Sequence, residues 1–248
     1  MFDIRGDIAA LPTAFTDDGS GVSEIRQARL VRKLVERGIG GFLVCSDAGE
    51  FTCLAFSERK NILEIVIREC QSATPVIVHA STLSTASTLD LAQHAQRHGA
   101  RAAIVMPPYY GSYTQSEIEW HYRTIMQYAD IPIVVADPQK RIEEETRKTL
   151  EGLSRIVFAE GAAMTDHFRL GASDAAPWLA LPIDLPQRAV AALARKIDEH
   201  GGAKVLKSAL EELDIEFGVP RRPLQPLNRE QHAEVAAIIQ ECLAEQQG

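Results

Sequence analysis

The sequence predicts an α/β fold, a (β/α)8 TIM barrel that is truncated or irregular in its last third and closes with C-terminal helices. Three observations predict it. Short, continuously apolar runs alternate with amphipathic stretches six times in succession. Such runs suit strands buried on both faces, so the strands are expected to be parallel and covered by helices. No glycine-rich phosphate loop follows the first run, which removes the usual signature of an open nucleotide-binding sheet. Six uninterrupted units favour closure into a barrel.

Each unit has its own signals. Ile8-Ala9-Ala10-Leu11 forms the first strand, and Asp17-Asp18-Gly19 turns into a helix over 23–37 with Ser23 as N-cap. Ile25, Ala28, Val31, Leu34 and Val35 recur at three- and four-residue spacing, which gives that helix one apolar face. Gly38-Ile39-Gly40-Gly41 stops it. Later strands are Phe42–Cys45, Val76–Val78, Ala102–Val105, Ile133–Val135 and Ile156–Phe158. The helices between them fall at 57–70, 85–98, 115–128 and 143–153. After Glu160 the pattern deteriorates. Phe168-Arg169-Leu170 is a candidate seventh strand, and Trp178–Leu181 an irregular eighth wall or a loop. Helical patterns return at 185–200, 203–213 and 229–245. No linker interrupts the chain, so residues 1–248 are expected to form one domain, with a helical segment from about 185 to 248.

Composition excludes several classes. Of the 248 residues 46% are apolar and 24% charged, which suits a soluble globular chain. The formal charge of −8 repels a phosphate backbone, and acidic residues interrupt the cluster around Lys140 and Arg141, so no nucleic-acid partner is expected. No apolar run reaches the ~18 residues of a membrane span, and Met1-Phe2-Asp3-Ile4-Arg5 lacks a secretory layout. A cytoplasmic location follows as the default. Cys45, Cys53, Cys70 and Cys242 show no zinc or redox spacing and read as thiols in a reducing compartment. His94 and His98, four apart on a helix of the outer layer, read as surface or inter-helix histidines.

Several segments share one pattern. Gly49-Glu50 after the second strand, Leu54 with Ser57-Glu58-Arg59, Pro107-Pro108-Tyr109-Tyr110 after the fourth strand, and Gly218-Val219-Pro220 with Arg222-Pro223-Leu224 near the end occur in a characteristic order. In these the chain resembles the dihydrodipicolinate synthase/N-acetylneuraminate lyase family. The shortening relative to that family falls on the sixth helix and the eighth strand.

The resemblance implies a lyase or aldolase acting on 2-oxo acids or aldehydes, with a lysine ending strand six as Schiff-base nucleophile. It also implies a proton-relaying tyrosine ending strand five and a Thr-Thr turn after strand two that binds the carboxylate. A second tyrosine is expected to reach into a neighbouring subunit of a homodimer or homotetramer. Carried over by position, the lysine place holds Glu160, the tyrosine place Ala136, and the two threonines Asp47 and Ala48. Tyr110 alone is retained. A carboxylate cannot supply the partly neutral amine that imine formation requires. An aspartate in a carboxylate pocket sets like charges together.

Tyr110, Glu160 and Asp47 are therefore the candidate catalytic residues, and Glu50, His79, Asp137 and Lys140 the candidate substrate-binding residues. All are expected at strand ends, where barrel enzymes place their chemistry. Asp174 after the seventh strand would join the same rim. No cofactor is required and no metal ligands are assigned, although rim carboxylates with His79 could hold a divalent cation as an alternative electron sink. Three functions stay open: a small-molecule lyase without Schiff-base chemistry, a non-catalytic ligand-binding or regulatory barrel, and a metal-assisted carbon-carbon lyase. Lys140, beside the place where the family keeps a carboxylate-binding arginine, is the candidate displaced amine.

Overall fold

The computed structural model describes residues 8–70, 74–159 and 180–246. Glu160, Asp174, the candidate seventh strand at 168–170 and the start of the candidate eighth wall at 178 lie outside them. Six parallel strands run in sequence order: β1 (Ile8–Ala10), β2 (Gly41–Val44), β3 (Val76–His79), β4 (Ala102–Val105), β5 (Ile133–Ala136) and β6 (Ile156–Ala159). Helices α1 (Glu24–Glu36), α2 (Phe56–Glu69), α3 (Thr85–His98), α4 (Gln115–Tyr128) and α5 (Glu144–Glu151) connect them. Then come α6 (Gln187–His200), α7 (Gly202–Glu211) and α8 (Arg229–Gln246), the predicted C-terminal helices. Ala180 and Leu181 are buried without joining the sheet. They pack against the core, so the end of the predicted eighth wall is not a strand.

The strands are nearly devoid of solvent contact, as a sheet lined by helices requires. Helix starts follow local chemistry. Ser84 accepts from Ser87 N at the head of α3, and Thr114 with Glu117 forms a reciprocal capping box on α4. Ser23 does precede α1, but its side chain makes no capping bond. Tyr122 of α4 is fully buried and donates its hydroxyl hydrogen to the Val105 carbonyl at 3.2 Å, tying α4 to the end of β4. Among the described residues no helix is long and apolar enough to cross a membrane.

Candidate active site at the strand ends

Parallel register sets the floor of the mouth: His79 of β3 is level with Ile104 of β4, and Ala136 of β5 with Ala159 of β6. These four side chains, together with Ser46, Asp47, Met106, Asp137 and Pro138, line a cavity of about 380 Å³. Two of them are alanines, which leaves open space where a larger residue would fill it.

His79 is 7% exposed. Its Nε2 lies 3.2 Å from Ser81 Oγ, which also accepts from Met106 N at 2.7 Å. Nδ1 has no hydrogen-bond partner among the described residues. Burial, then the nearby Arg59 guanidinium, push the imidazole down to about 3, so it is neutral at physiological pH. Ser46 Oγ is likewise buried without a partner. The mouth therefore carries two buried polar groups with unused hydrogen-bonding capacity.

Arg59 stands behind this wall. Its guanidinium donates to the Ser81 carbonyl at 2.8 Å and to the His79 carbonyl, and packs over the Phe51 ring. Among the described residues no carboxylate lies within ion-pair distance of it. Phe51 in turn meets the His79 ring edge-on at 4.4 Å. Arg59 thus fixes the backbone on both sides of Ala80 rather than offering charge to a ligand.

The predicted residues divide into those at the cavity and those away from it. Asp47 is at the rim; desolvation raises its carboxyl above the ordinary range, although the residue keeps solvent contact. Asp137 lines the cavity, but its carboxylate accepts from Arg141 N at 2.9 Å and Ile142 N at 2.8 Å and so holds the turn after β5. Glu50 does not face the mouth. Its side chain is buried, with Oε1 2.6 Å from Lys207 Nζ and Oε2 accepting from Arg221 N at 2.7 Å. Lys140 is exposed, with a left-handed backbone (φ 52°), outside the cavity lining. Tyr110 is 78% exposed and is also outside it. Its loop is held by Arg141, which donates to the carbonyls of Tyr109 and Gly111, both at 2.9 Å. Glu160 lies outside the described residues.

Position-by-position reading missed Ser46, Ser81 and Arg59. The signal for Ser46 was its place directly before Asp47, where it opens the turn after β2. Nothing local marked Ser81, whose role depends on β4.

Seven lysines occur in the chain, and none falls between residues 160 and 179. Lys33 lies on α1, and Lys60, Lys148 and Lys196 pair with Asp90, Glu144 and Glu199 on the helical layer. Lys207 is paired with Glu50. Lys204 lines a separate cavity of about 260 Å³ that shares only Asp47 with the mouth. Among the described residues, trios of histidine, cysteine and carboxylate groups with converging ligand atoms occur at two places, neither at the mouth.

A parallel β/α wall with a cavity at the C-terminal ends of its strands defines the class: a TIM-type barrel, the fold that carries its sites on the βα loops. The dihydrodipicolinate synthetase family model matches residues 3–157, and the chain belongs to that family. A 4-hydroxy-tetrahydrodipicolinate synthase of Methanopyrus kandleri is 34% identical over 167 residues, covering 65% of this chain and 56% of that protein. The corresponding enzyme of Methanothrix thermoacetophila is 36% identical over 163 residues, 64% of this chain and 54% of its own length. The chain thus spans about half the length of the curated relatives it matches. Two solved structures share the fold. The Cyanidioschyzon merolae dihydrodipicolinate synthase with lysine bound superposes with a TM-score of 0.83 at 19% identity, covering 98% of this chain and 99% of that one. The Clostridium difficile protein CdNal in complex with mannosamine gives 0.81 at 18%, covering 97% and 99%. The family match stops inside β6, whereas the structural match runs nearly the full chain.

Proposed function

We propose that this chain is a divergent member of a lyase family that receives a small, uncharged carbonyl compound in its mouth and holds it by hydrogen bonds without forming a Schiff base. The observation that carries this reading is the pairing of two unpartnered buried groups, Ser46 Oγ and His79 Nδ1, with a lining that contains no ammonium group among its described residues. Leaving a buried polar atom unpaired costs roughly 1–3 kcal/mol, so a ligand oxygen that reaches either group recovers part of that cost. Nothing in the described lining is cationic, which favours an aldehyde or ketone over a 2-oxo acid.

A second reading, an acid–base lyase, is favoured by Asp47. A carboxyl raised by desolvation at the cavity rim can hold and return a proton, the task the family gives to hydroxyl groups. The metal-assisted alternative draws on Glu160 and Asp174, which lie outside the described residues. The homodimer or homotetramer implied by the resemblance remains part of the proposal, with exposed Tyr110 as its contact. So does the cytoplasmic location, in keeping with four free thiols.

Borohydride reduction in the presence of pyruvate or a short aldehyde, read by intact mass, tests the central claim. The expected mass is that of the unmodified chain. A stable adduct on Lys204 or Lys140 would overturn the proposal. Thermal shifts with a panel of aldehydes and 2-oxo acids then test the ligand class, and stabilisation by aldehydes that is lost in Ser46→Ala is the expected result.

A further inference from the structure

On the outer helical layer, far in function from the mouth, α2 and α3 bring Glu64, His94 and His98 together. The two histidines are four residues apart, so their rings leave one face of α3, with centroids 4.2 Å apart. Glu64 Oε1 of α2 lies 3.0 Å from His94 Nε2 and 3.8 Å from His98 Nε2. One ligand atom from each residue falls within 4.8 Å of the other two. Tetrahedral zinc, with bonds of about 2.0–2.1 Å, sets its ligand atoms about 3.3 Å apart, and the two carboxylate spans bracket that value. His94 is 7% exposed, and its Nε2 forms no aligned hydrogen bond despite its closeness to the carboxylate. The three side chains thus present their ligand atoms to one point between α2 and α3.

We propose that Glu64, His94 and His98 form a zinc-class divalent metal site that staples α2 to α3, with water completing the coordination on the exposed side. Two imidazoles and one carboxylate suit zinc and its neighbours, whereas magnesium and calcium favour oxygen donors alone. Metal binding needs the imidazoles neutral and the carboxylate ionised, so the affinity is expected to fall on acidification. Of the nearby cations, Lys60 pairs with Asp90 at 2.8 Å. The second trio, Glu199, His200 and Glu234, is already occupied by Lys196, 2.9 Å from Glu199 and 2.5 Å from Glu234, and serves as the control.

Calorimetric titration and thermal denaturation of the metal-free full chain with zinc chloride test the site, with magnesium chloride alongside. One zinc per chain and a raised Tm are expected, with at least tenfold weaker binding in His98→Ala and in Glu64→Gln and no change in His200→Ala. His98 is 40% exposed at its side chain, so its replacement should leave the metal-free Tm in place. Visible absorption of the cobalt-loaded wild-type chain gives a readout independent of any variant, and an intense tetrahedral spectrum is expected. Absence of zinc binding, full-affinity binding that survives in His98→Ala, an equal response to magnesium, or a weak octahedral cobalt spectrum would each overturn the proposal.

Discussion

Lys207 Nζ lies 2.6 Å from Glu50 Oε1, and the two side chains are 4% and 0% exposed. The pair joins the turn after β2 to α7. Lys207 also donates to the Val219 carbonyl at 3.1 Å and sits 4.2 Å from the centroid of Phe15. Arg221 stacks on the same ring at 4.3 Å and grips Glu58 with two hydrogen bonds of 2.6 and 2.9 Å. Burial lowers the Lys207 ammonium, and Glu50 opposes that shift. The arrangement locks the chain's closing segment onto the loop that carries Ser46 and Asp47.

Removing one partner of this pair should be costly. Lys207→Met leaves a carboxylate buried without its counter-ion, and a loss of about 3–5 kcal/mol is expected in urea denaturation. The double variant Glu50→Gln/Lys207→Met should recover a substantial part of that loss. Strict additivity of the two single changes would show that the groups are not coupled.

Stability should fall as the pH drops below neutrality. His79 is pushed to about 3 and His121 to about 4 when folded, against an ordinary 6.5. Folded-state values are depressed, so the unfolded chain binds protons first, and the stability present above pH 6.5 is lost on acidification. Each histidine contributes a loss of about 2 kcal/mol between pH 7 and pH 5. Denaturation midpoints measured across this window should show a shallower fall in His79→Gln. An unchanged slope in that variant would contradict the buried, neutral imidazole.

Asp47→Asn and Asp47→Ala should separate binding from proton transfer. In the acid–base reading the amide keeps the hydrogen-bonding shape, so aldehyde binding persists in Asp47→Asn while any turnover disappears. Asp47→Ala should weaken binding by about 1 kcal/mol, the worth of one ordinary hydrogen bond. Turnover that survives in Asp47→Asn would remove this residue from the chemistry.

Tyr110→Ala should leave the isolated chain's stability within about 0.5 kcal/mol, because the ring is 78% exposed. Sedimentation should nevertheless show a shift toward monomer if the ring is buried by a neighbouring copy, as the family resemblance implies. An unchanged association state would end that role for Tyr110.

Gly218→Ala should destabilise the fold by roughly 2 kcal/mol or more, read as a lowered denaturation midpoint, since strain at a special backbone conformation is among the larger single-site effects. Its φ is +71°, and an added Cβ would meet the Phe15 carbonyl oxygen at 2.6 Å. A neutral result would mean that the segment after α7 can move away from Phe15 and Thr16 at little cost.

How much of this was legible beforehand depends on the range of the cause. Strand and helix positions follow from local periodicity, so Phe42–Cys45 and Ala102–Val105 could be placed from their own residues and neighbours. The rim could also be anticipated, because strand ends share one edge in a parallel barrel, and Asp47, His79 and Asp137 do line one cavity. Glu50 could not be separated from them. The partner that withdraws it from the mouth, Arg221, is 171 positions along the chain. The His94–His98 pair was visible as a spacing, but Glu64, which lies against both rings, belongs to another helix.

The sequence by itself determined the alternation of buried strands and amphipathic helices, and it put no lysine at the end of the sixth strand. Both are properties of contiguous residues. The tertiary structure alone decided which polar groups share a place: Glu50 with Lys207 behind the wall, Ser46 and His79 in the lining of one cavity, Glu64 beside two histidines outside. Electrostatic and hydrogen-bond energies fall away within a few ångströms in water, so they depend on distances that chain order does not encode.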